Sequence, residues 1–232
     1  MKINYIILIL FTFGFCSCRY TGSGNIISEN KQLSSFQGVE AEGPFSVEIR
    51  QGSPQSVVLE ADDNLMKYTD VSVRNNILVA RIDHGSFTDA HFKLLITVPV
   101  IDDIKASSAA DVEIFGLLKD ENKISLKTSS AGSIHGEVDA PSVMAVSSSG
   151  ADINISGNTR KMKADASSGA NIKADHLLSE QTDAEASSGA SVHVHASVAL
   201  NAHASSGGNV TYRGGGNVTK SESSGGGVEK GD

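Results

Sequence analysis

A sevenfold internal repeat constrains the fold of this chain more than any other feature. Each copy carries a pair of serines, then two residues that are each glycine or alanine, then a short polar residue or glycine and a β-branched residue. The first serine of the pair is residue 107, 129, 148, 167, 187, 205 or 223, so the copies are 18–22 residues apart. A period near twenty residues is typical of solenoids, in which stacked copies bury a shared core.

Aligned copies alternate between apolar and polar positions. The residue five places after the first serine is β-branched in every copy: Val112, Ile134, Ile153, Ile172, Val192, Val210 and Val228. The residue three places before it is mostly small or aliphatic: Ile104, Leu126, Ala145, Ala164, Ala184, Ala202 and Lys220. The residues four and two places before the first serine, on either side of this second column, are mostly polar. Alternation with a period of two predicts strands with one buried face.

The repeats therefore predict an all-β fold, a parallel β-helix or solenoid over residues 102–230 with about 18–22 residues per turn. The general crossover preference favours a right-handed coil. We expect a hydroxyl ladder along the second serines, and we expect Asp111, Asp152, Asn171 and Asn209 to bond backbone amides at the corner. The alternative is a disordered serine- and glycine-rich tail, which has no reason to keep seven β-branched residues in register.

Residues 35–101 show the same alternation in a looser form, for example in Phe45-x-Val47-x-Ile49. This segment also holds most of the aromatic residues outside the leader, whereas Tyr212 is the only aromatic residue after Phe115. We therefore predict a less regular β cap with a wider core, continuous with a tube too narrow for rings. A cap protects the end of a solenoid from aggregation.

The first residues are typical of an export signal. Lys2 precedes a largely apolar run over residues 3–15, which is too short for a permanent membrane helix. The run ends at Phe15-Cys16-Ser17-Cys18, and this pattern resembles a bacterial lipoprotein signal. It predicts removal of residues 1–17, lipidation of Cys18, a membrane contact through the lipid and a flexible tether over residues 18–34.

An ordinary signal peptide cleaved after Ser17 or Cys18 is the alternative. Under lipidation, Cys16 is removed and Cys18 carries lipid, so no disulfide is expected. Stability then has to come from burial and backbone hydrogen bonds.

The composition limits the function classes. A formal charge of −8 argues against a nucleic-acid surface, because phosphate binding needs clustered Lys and Arg. The sequence contains no P-loop, HExxH helix or paired CxxC motif. We expect no cofactor.

Two outward columns offer candidate chemistry. His193 and His195 point the same way from one strand, with Asp175 predicted one coil below His195. These three could bind zinc. We favour a solvated ladder of mixed charges instead, because these side chains lack the surrounding groups that would orient metal ligands, and we assign no metal site. On the other face, Asp165 and Glu185 are predicted to stack beneath His203, as in the paired carboxylates of glycoside-cleaving enzymes.

The sequence also resembles a known family. Phe36-x-x-Val39 precedes Gly43-Pro44-Phe45-x-Val47-x-Ile49-x-Gln51-Gly52, and serial Ser-Ser-Gly-Ala-[Asp/Asn]-Ile copies follow. In this order the motifs are similar to the head GIN domain family of exported, often lipidated proteins of Bacteroidetes-type bacteria, which are described as adhesins. The resemblance implies a β-helix-like fold and carries no catalytic residues.

Three functions fit these features. The first is a non-catalytic protein, lipid-anchored at the outer membrane, that presents a rigid solenoid as a structural module or to a glycan or protein ligand. The second is a polysaccharide lyase or hydrolase on a β-helix. The third is a periplasmic lipoprotein that regulates the envelope.

Overall fold

The computed structural model describes residues 19–83 and 85–231. The predicted lipidation site, Cys18, and the predicted signal peptide lie outside the described residues. No α-helix occurs in the described ranges, and none of their helices could cross a membrane. A short 3-10 helix spans Met66–Tyr68.

Twenty strands account for most of residues 19–83 and 85–231. The first nine strands are β1 (Arg19–Thr21), β2 (Ile26–Asn30), β3 (Gly38–Glu42), β4 (Ser46–Gln51), β5 (Ser56–Asp62), β6 (Thr69–Arg74), β7 (Ile77–Ile82), β8 (Ser86–Thr88) and β9 (Phe92–Val98). The other strands are β10 (Asp103–Ser107), β11 (Asp111–Lys119), β12 (Lys123–Thr128), β13 (Ser133–Ser147), β14 (Asp152–Ala166), β15 (Asn171–Ala186), β16 (Ser191–His195), β17 (Ala199–Ala204), β18 (Asn209–Arg213), β19 (Asn217–Glu222) and β20 (Gly227–Lys230).

The strands stack as the parallel coils of a β-solenoid of about six turns, which confirms the predicted fold class. Face A consists of the strands that end at a serine corner, and face B of the strands that begin after it. The long strands β13, β14 and β15 each start on face B, bend, and finish on face A of the next coil. One hydrophobic cluster runs through the interior from the N-terminal strands to Val228.

The predicted β-branched column forms a single file inside the solenoid. Val112 pairs with Ile134, Ile134 with Ile153, and the pairing continues in register to Val228. Six members are fully buried, and Val228 in the last coil is 6% exposed. Val47 and Leu94 extend the same file into the N-terminal half.

Each serine corner is a type I′ turn. The second serine has φ between 48° and 55° in all seven copies, and the next residue, glycine or alanine, also has a positive φ. The N–H two residues after the second serine donates to the carbonyl of the first serine, as in Gly132 to Ser129 at 2.9 Å. Two consecutive residues with positive φ, closed by this hydrogen bond, define the turn type.

The corners are joined by backbone hydrogen bonds, not by the predicted hydroxyl ladder. The N–H of Gly150 donates to the carbonyl of Ser168 in the next coil at 3.1 Å, and five other corner pairs do the same. The second serines are exposed, and within the described ranges their hydroxyls make no hydrogen bonds. The left-handed conformation turns these side chains outward, which is why the hydroxyl prediction was wrong.

The Asp and Asn side chains after the corner also differ from expectation. Asp111 accepts hydrogen bonds from Ser133 Oγ and interacts with His135 Nε2 at 2.6 Å. Asn171 Nδ2 donates to Asp152 Oδ1 at 3.2 Å. These side chains therefore connect neighbouring coils, because the corner amides are already paired with backbone carbonyls.

The N-terminal half caps the solenoid, but its strands are not stacked in chain order. β3 and β4 form a regular coil that lies between β7 and β9 on one side and β10 and β11 on the other. Two antiparallel strands then cover the end of the stack. β5 pairs with β9 on face B, and β6 pairs with β7 on face A. Regular coiling therefore begins before the predicted boundary at residue 102.

The wider core predicted for the cap is present and contains aromatic rings. Phe36, Phe45 and Phe92 are buried, and the ring centroids of Phe45 and Phe92 are 5.8 Å apart. Tyr20 stacks on Phe87 with its centroid 5.6 Å away. Tyr20 belongs to the segment that was predicted to be a flexible tether.

The described part of that segment, residues 19–34, contains two strands that pair with the cap. β1 pairs with β8, and β2 pairs with β5. Between them, Gly24 N–H donates to the buried Asp62 carboxylate at 2.7 Å, and Ser23 Oγ donates to Asp63 at 2.6 Å. Hydrogen bonds from Ser23 and Asn25 lower the pKa of Asp63. The glycine- and serine-rich composition of the segment suggested flexibility. The prediction was wrong because the hydrogen-bond partners of the segment lie about 40 residues away in the chain, where local composition gives no sign of them.

The last coil closes the other end with charges. Lys220 and Glu222 occupy inward columns that hold alanine or other small or aliphatic residues in the other coils, and their side chains pair at 3.2 Å. Glu222 also accepts the N–H of Val228 at 2.7 Å, and this bond, helped by Lys220, lowers the pKa of Glu222. Inward-pointing charges protect an exposed strand edge from pairing with another chain.

We therefore expect the double variant Lys220→Val, Glu222→Ala to self-associate as its concentration rises, because it removes the charges from the open edge. Analytical ultracentrifugation over a concentration series would measure this. Lys163→Val with Glu185→Ala is the matched control, since it removes the same residue types from the outer surface of interior coils. A double variant that stays monomeric at every concentration would contradict the prediction.

Candidate binding groove

The bend of the long strands creates a second corner, opposite in character to the serine corner. The ladder pairs Ala140 with Thr159 and Ser142 with Lys161, and it skips the residues between them. The skipped residues stack from coil to coil as Pro141, Arg160, Glu180 and Val198. Side chains of very different size and charge therefore replace the uniform serine column.

Buried hydroxyls satisfy the backbone where the bend interrupts the ladder. Ser179 and Thr182 are each 2% exposed, and both donate to the carbonyl of His195, Thr182 at 2.7 Å. Ser197 Oγ donates to the carbonyl of Ser179 at 3.1 Å. The corner is consequently a hydrogen-bonded element that can hold surface side chains in fixed positions.

Two clefts join along this corner. One has a volume of about 740 Å³ and the other about 570 Å³. They share Asp139, Ala140 and Pro141, so they form one continuous depression, which we call the corner groove. It crosses five coils, from Asn122 to Ser197, and at about 4.8 Å per coil it is about 19 Å long.

The groove contains polar side chains with no partner in the protein. Within residues 19–83 and 85–231, the side chains of Glu121, Asn158, Arg160 and Glu180 make no hydrogen bond or ion pair. By contrast, Lys119 Nζ lies 3.8 Å from Asp139 Oδ2 across neighbouring coils. The unpartnered groups supply both donors and acceptors that a ligand could use.

Apolar side chains are exposed along the same corner. Leu178 is 55% exposed, Val198 is 52% exposed and Val100 is 41% exposed. They are three of six large aliphatic residues exposed in the described part of the chain. Exposed apolar surface rimmed by polar groups is typical of an interaction site.

The structure does not bring the three candidate zinc ligands together. Asp175 Oδ2 lies 2.9 Å from Arg213 Nη1, so a cation already neutralises this carboxylate. His195 places Nδ1 3.3 Å from the carbonyl of Ser179, in the corner groove, while His193 lies on the outer surface of β16. No group of three or more metal-binding side chains occurs in the part of the chain that the structure describes.

The predicted pair of carboxylates is in register. Asp165 pairs with Glu185, and Glu185 with His203, on the outer surface of face A. Glu185 and His203 are exposed, and Asp165 is partly exposed. None of the three lines the corner groove.

A Ser133–Asp111–His135 cluster on face B resembles a catalytic triad in composition only. Both Ser133 Oγ and His135 Nε2 contact the same Asp111 carboxylate oxygen. In a working triad the histidine lies between the serine and the aspartate, so that it can accept the serine proton. Here the aspartate occupies the middle, so the histidine is not placed to accept the serine proton.

The corner groove itself was missed by the sequence analysis. Its residues fall between the aligned columns, where the copies vary in length from 18 to 22 residues. That variation in length was the available signal, since insertions in a solenoid collect on the face that binds ligands.

Comparison with solved structures shows the same fold in other proteins. A putative adhesin from Bacteroides fragilis has a TM-score of 0.82 at 18% identity, covering 91% of this chain and 98% of that one. A putative adhesin from Parabacteroides merdae has a TM-score of 0.76 at 16% identity, covering 93% and 100%. A putative lipid binding protein from Parabacteroides distasonis has a TM-score of 0.76 at 15% identity, covering 92% and 100%.

Identities this low establish a common fold only. No curated protein matches the sequence. A family model does match, over residues 35–216, and its description is "Putative auto-transporter adhesin, head GIN domain". The match spans β3 to β18 and confirms the resemblance found in the sequence, so the chain belongs to the head GIN domain family.

Proposed function

We propose that the protein is a non-catalytic, lipid-anchored module of the cell envelope that binds a ligand in the corner groove. The observation that carries this proposal is the set of unpartnered polar and exposed apolar side chains held on a continuous parallel ladder. The adhesin-type description of the family supports a cell-envelope or surface location.

Anchoring through Cys18 would place the cap next to the membrane. Arg19 Nε donates to Thr88 Oγ1 at 2.7 Å, and Asn64 Nδ2 donates to the carbonyl of Thr21 at 2.9 Å. The residues that follow Cys18 are therefore held against the cap. A lipid at that position would hold the solenoid close to the bilayer with little freedom to tilt.

Cys18→Ser tests the anchor. We expect the variant to lose incorporation of labelled palmitate and to move from the membrane fraction to the soluble fraction, because the thiol is the site of lipid attachment. Cys16→Ser is the matched control and should keep both properties. Equal labelling of the two variants would contradict lipidation at Cys18.

Protease treatment of intact cells would separate a surface adhesin from a periplasmic regulator. An adhesin should be degraded, because its solenoid faces the medium. Survival of the full chain during this treatment, with degradation after the outer membrane is permeabilised, would favour the periplasmic function instead.

The register of Asp165 and Glu185 favours a second candidate, a polysaccharide-cleaving enzyme. Neighbouring coils are about 5 Å apart, which is within the range for a retaining pair of carboxylates. An enzyme of this type should release reducing ends or unsaturated products from a glycan panel, and Asp165→Asn should abolish that release. Intact glycans after incubation with the unaltered protein would exclude this candidate.

A further inference from the structure

We propose that the corner groove binds an uncharged polysaccharide chain that lies parallel to the solenoid axis. The inference rests on the proposed binding function and identifies the ligand class for the same site. It follows from four properties of the groove: its shape, the hydrogen bonds that its backbone groups already make within the solenoid, its charge and its apolar surface.

The shape of the groove requires an extended ligand. The depression crosses five coils at right angles to the strands and is about 19 Å long. Each coil presents different side chains, from Pro141 through Arg160 to Glu180. A linear polymer would contact these coils one after another, whereas a small compact molecule would fill only one cleft.

The backbone at the groove leaves no place for an added peptide strand. Ser197 N–H donates to the carbonyl of Ser179 at 3.0 Å, and Val198 N–H donates to the carbonyl of Glu180 at 2.9 Å. The carbonyl of Val198 accepts from Asn217 at 2.8 Å. Peptides that bind by strand addition need an unpaired sheet edge, and these groups are already paired along the stack.

The charge of the groove disfavours anionic polymers. Glu121 and Glu180 are unpaired, Asp139 is opposed by Lys119, and Arg160 is the one cation in the larger cleft. The net negative charge of the groove, on a chain of formal charge −8, would repel polyuronates, sulfated glycans and nucleic acids. Sugar hydroxyls both donate and accept, so an uncharged glycan can satisfy the carboxylates and the guanidinium together.

The apolar part of the groove suits the C–H faces of sugars but is small. Leu178, Pro141 and Val100 provide it, and the residues that line the two clefts include no Phe, Tyr or Trp. Each sugar should therefore contribute little, and the affinity should rise with chain length until the oligosaccharide spans the groove. Many copies on one membrane would then bind a polymer by avidity.

Affinity electrophoresis of the full-length protein in detergent would test this ligand class. We expect retardation by the uncharged polysaccharides galactomannan, xyloglucan or dextran, and none by polygalacturonate or heparin. Leu178→Ser should weaken the interaction about tenfold, because it removes the most exposed apolar contact in the groove. Val218→Ser is the matched control, since Val218 is 38% exposed in the last coil, away from the groove.

Retardation by the acidic polysaccharides alone, or equal weakening by the two variants, would overturn the inference. The inference would also be overturned if an extended peptide bound the unaltered protein, no glycan bound it, and the Leu178→Ser variant failed to bind the peptide. In that last case the proposed binding function stands and only the ligand class is wrong. If cells with and without the protein also bound the same ligands equally, the proposed function would fail as well.

Discussion

Ile172→Asp is expected to lower the free energy of unfolding by about 4 kcal/mol or more. Ile172 is fully buried and pairs in register with Ile153 and Val192 inside the solenoid. An aspartate there would place a carboxylate among aliphatic side chains with no hydrogen-bond partner. Urea unfolding followed by circular dichroism would measure the loss.

Lys173→Asp provides the matched control one residue along the strand. Lys173 is exposed on face B and forms no ion pair within the described ranges, so the same new side chain should change stability by less than about 0.5 kcal/mol. Equal destabilisation by the two variants would mean that the inward and outward columns were assigned incorrectly.

Gly157→Ala is expected to cost about 3 kcal/mol or more, because the backbone strain and the steric clash add. Gly157 has φ of 116°, and an added Cβ would lie 2.1 Å from the carbonyl oxygen of Val138 in the neighbouring coil. The contact is with backbone of the stacked ladder, so the clash cannot be relieved by a rotamer change. Thermal unfolding would show the loss.

Gly169→Ala separates strain from clash. Gly169 also has a positive φ, 71°, but nothing lies within 4 Å of an added Cβ. Ala109 and Ala131 occupy the same turn position in other coils with φ of 68° and 61°. We expect a cost of about 1 kcal/mol. A larger loss of stability for Gly169→Ala than for Gly157→Ala would contradict the close approach of Gly157 to the Val138 carbonyl.

The repeat predicted the coils accurately because its signal is local. Alternation along one strand decides which side chains face inward, and the column from Val112 to Val228 was identified without knowledge of the neighbouring coils. The serine corners were also visible, but the direction of their hydroxyls was not. Positive φ at the second serine turns that side chain outward, and nothing in the sequence pattern required it.

The predicted site residues were placed less well, since their environment depends on other coils. Asp175 was grouped with two histidines, yet its partner is Arg213, whose side chain reaches past the intervening strand β16. Long polar side chains on an outer surface select among several neighbours. Their pairing is therefore not determined by spacing along the chain.

The sequence by itself determined the period, the inward columns, the narrow ring-poor interior and the family, because each depends on short-range alternation or on a contiguous motif. Only the tertiary structure decided that β3 and β4 lie between later strands, that residues 19–30 are fastened to the cap, and that the bends of β13 to β15 align into a groove. All three arise from contacts between residues far apart in the chain, and their free energy depends on which coils become neighbours.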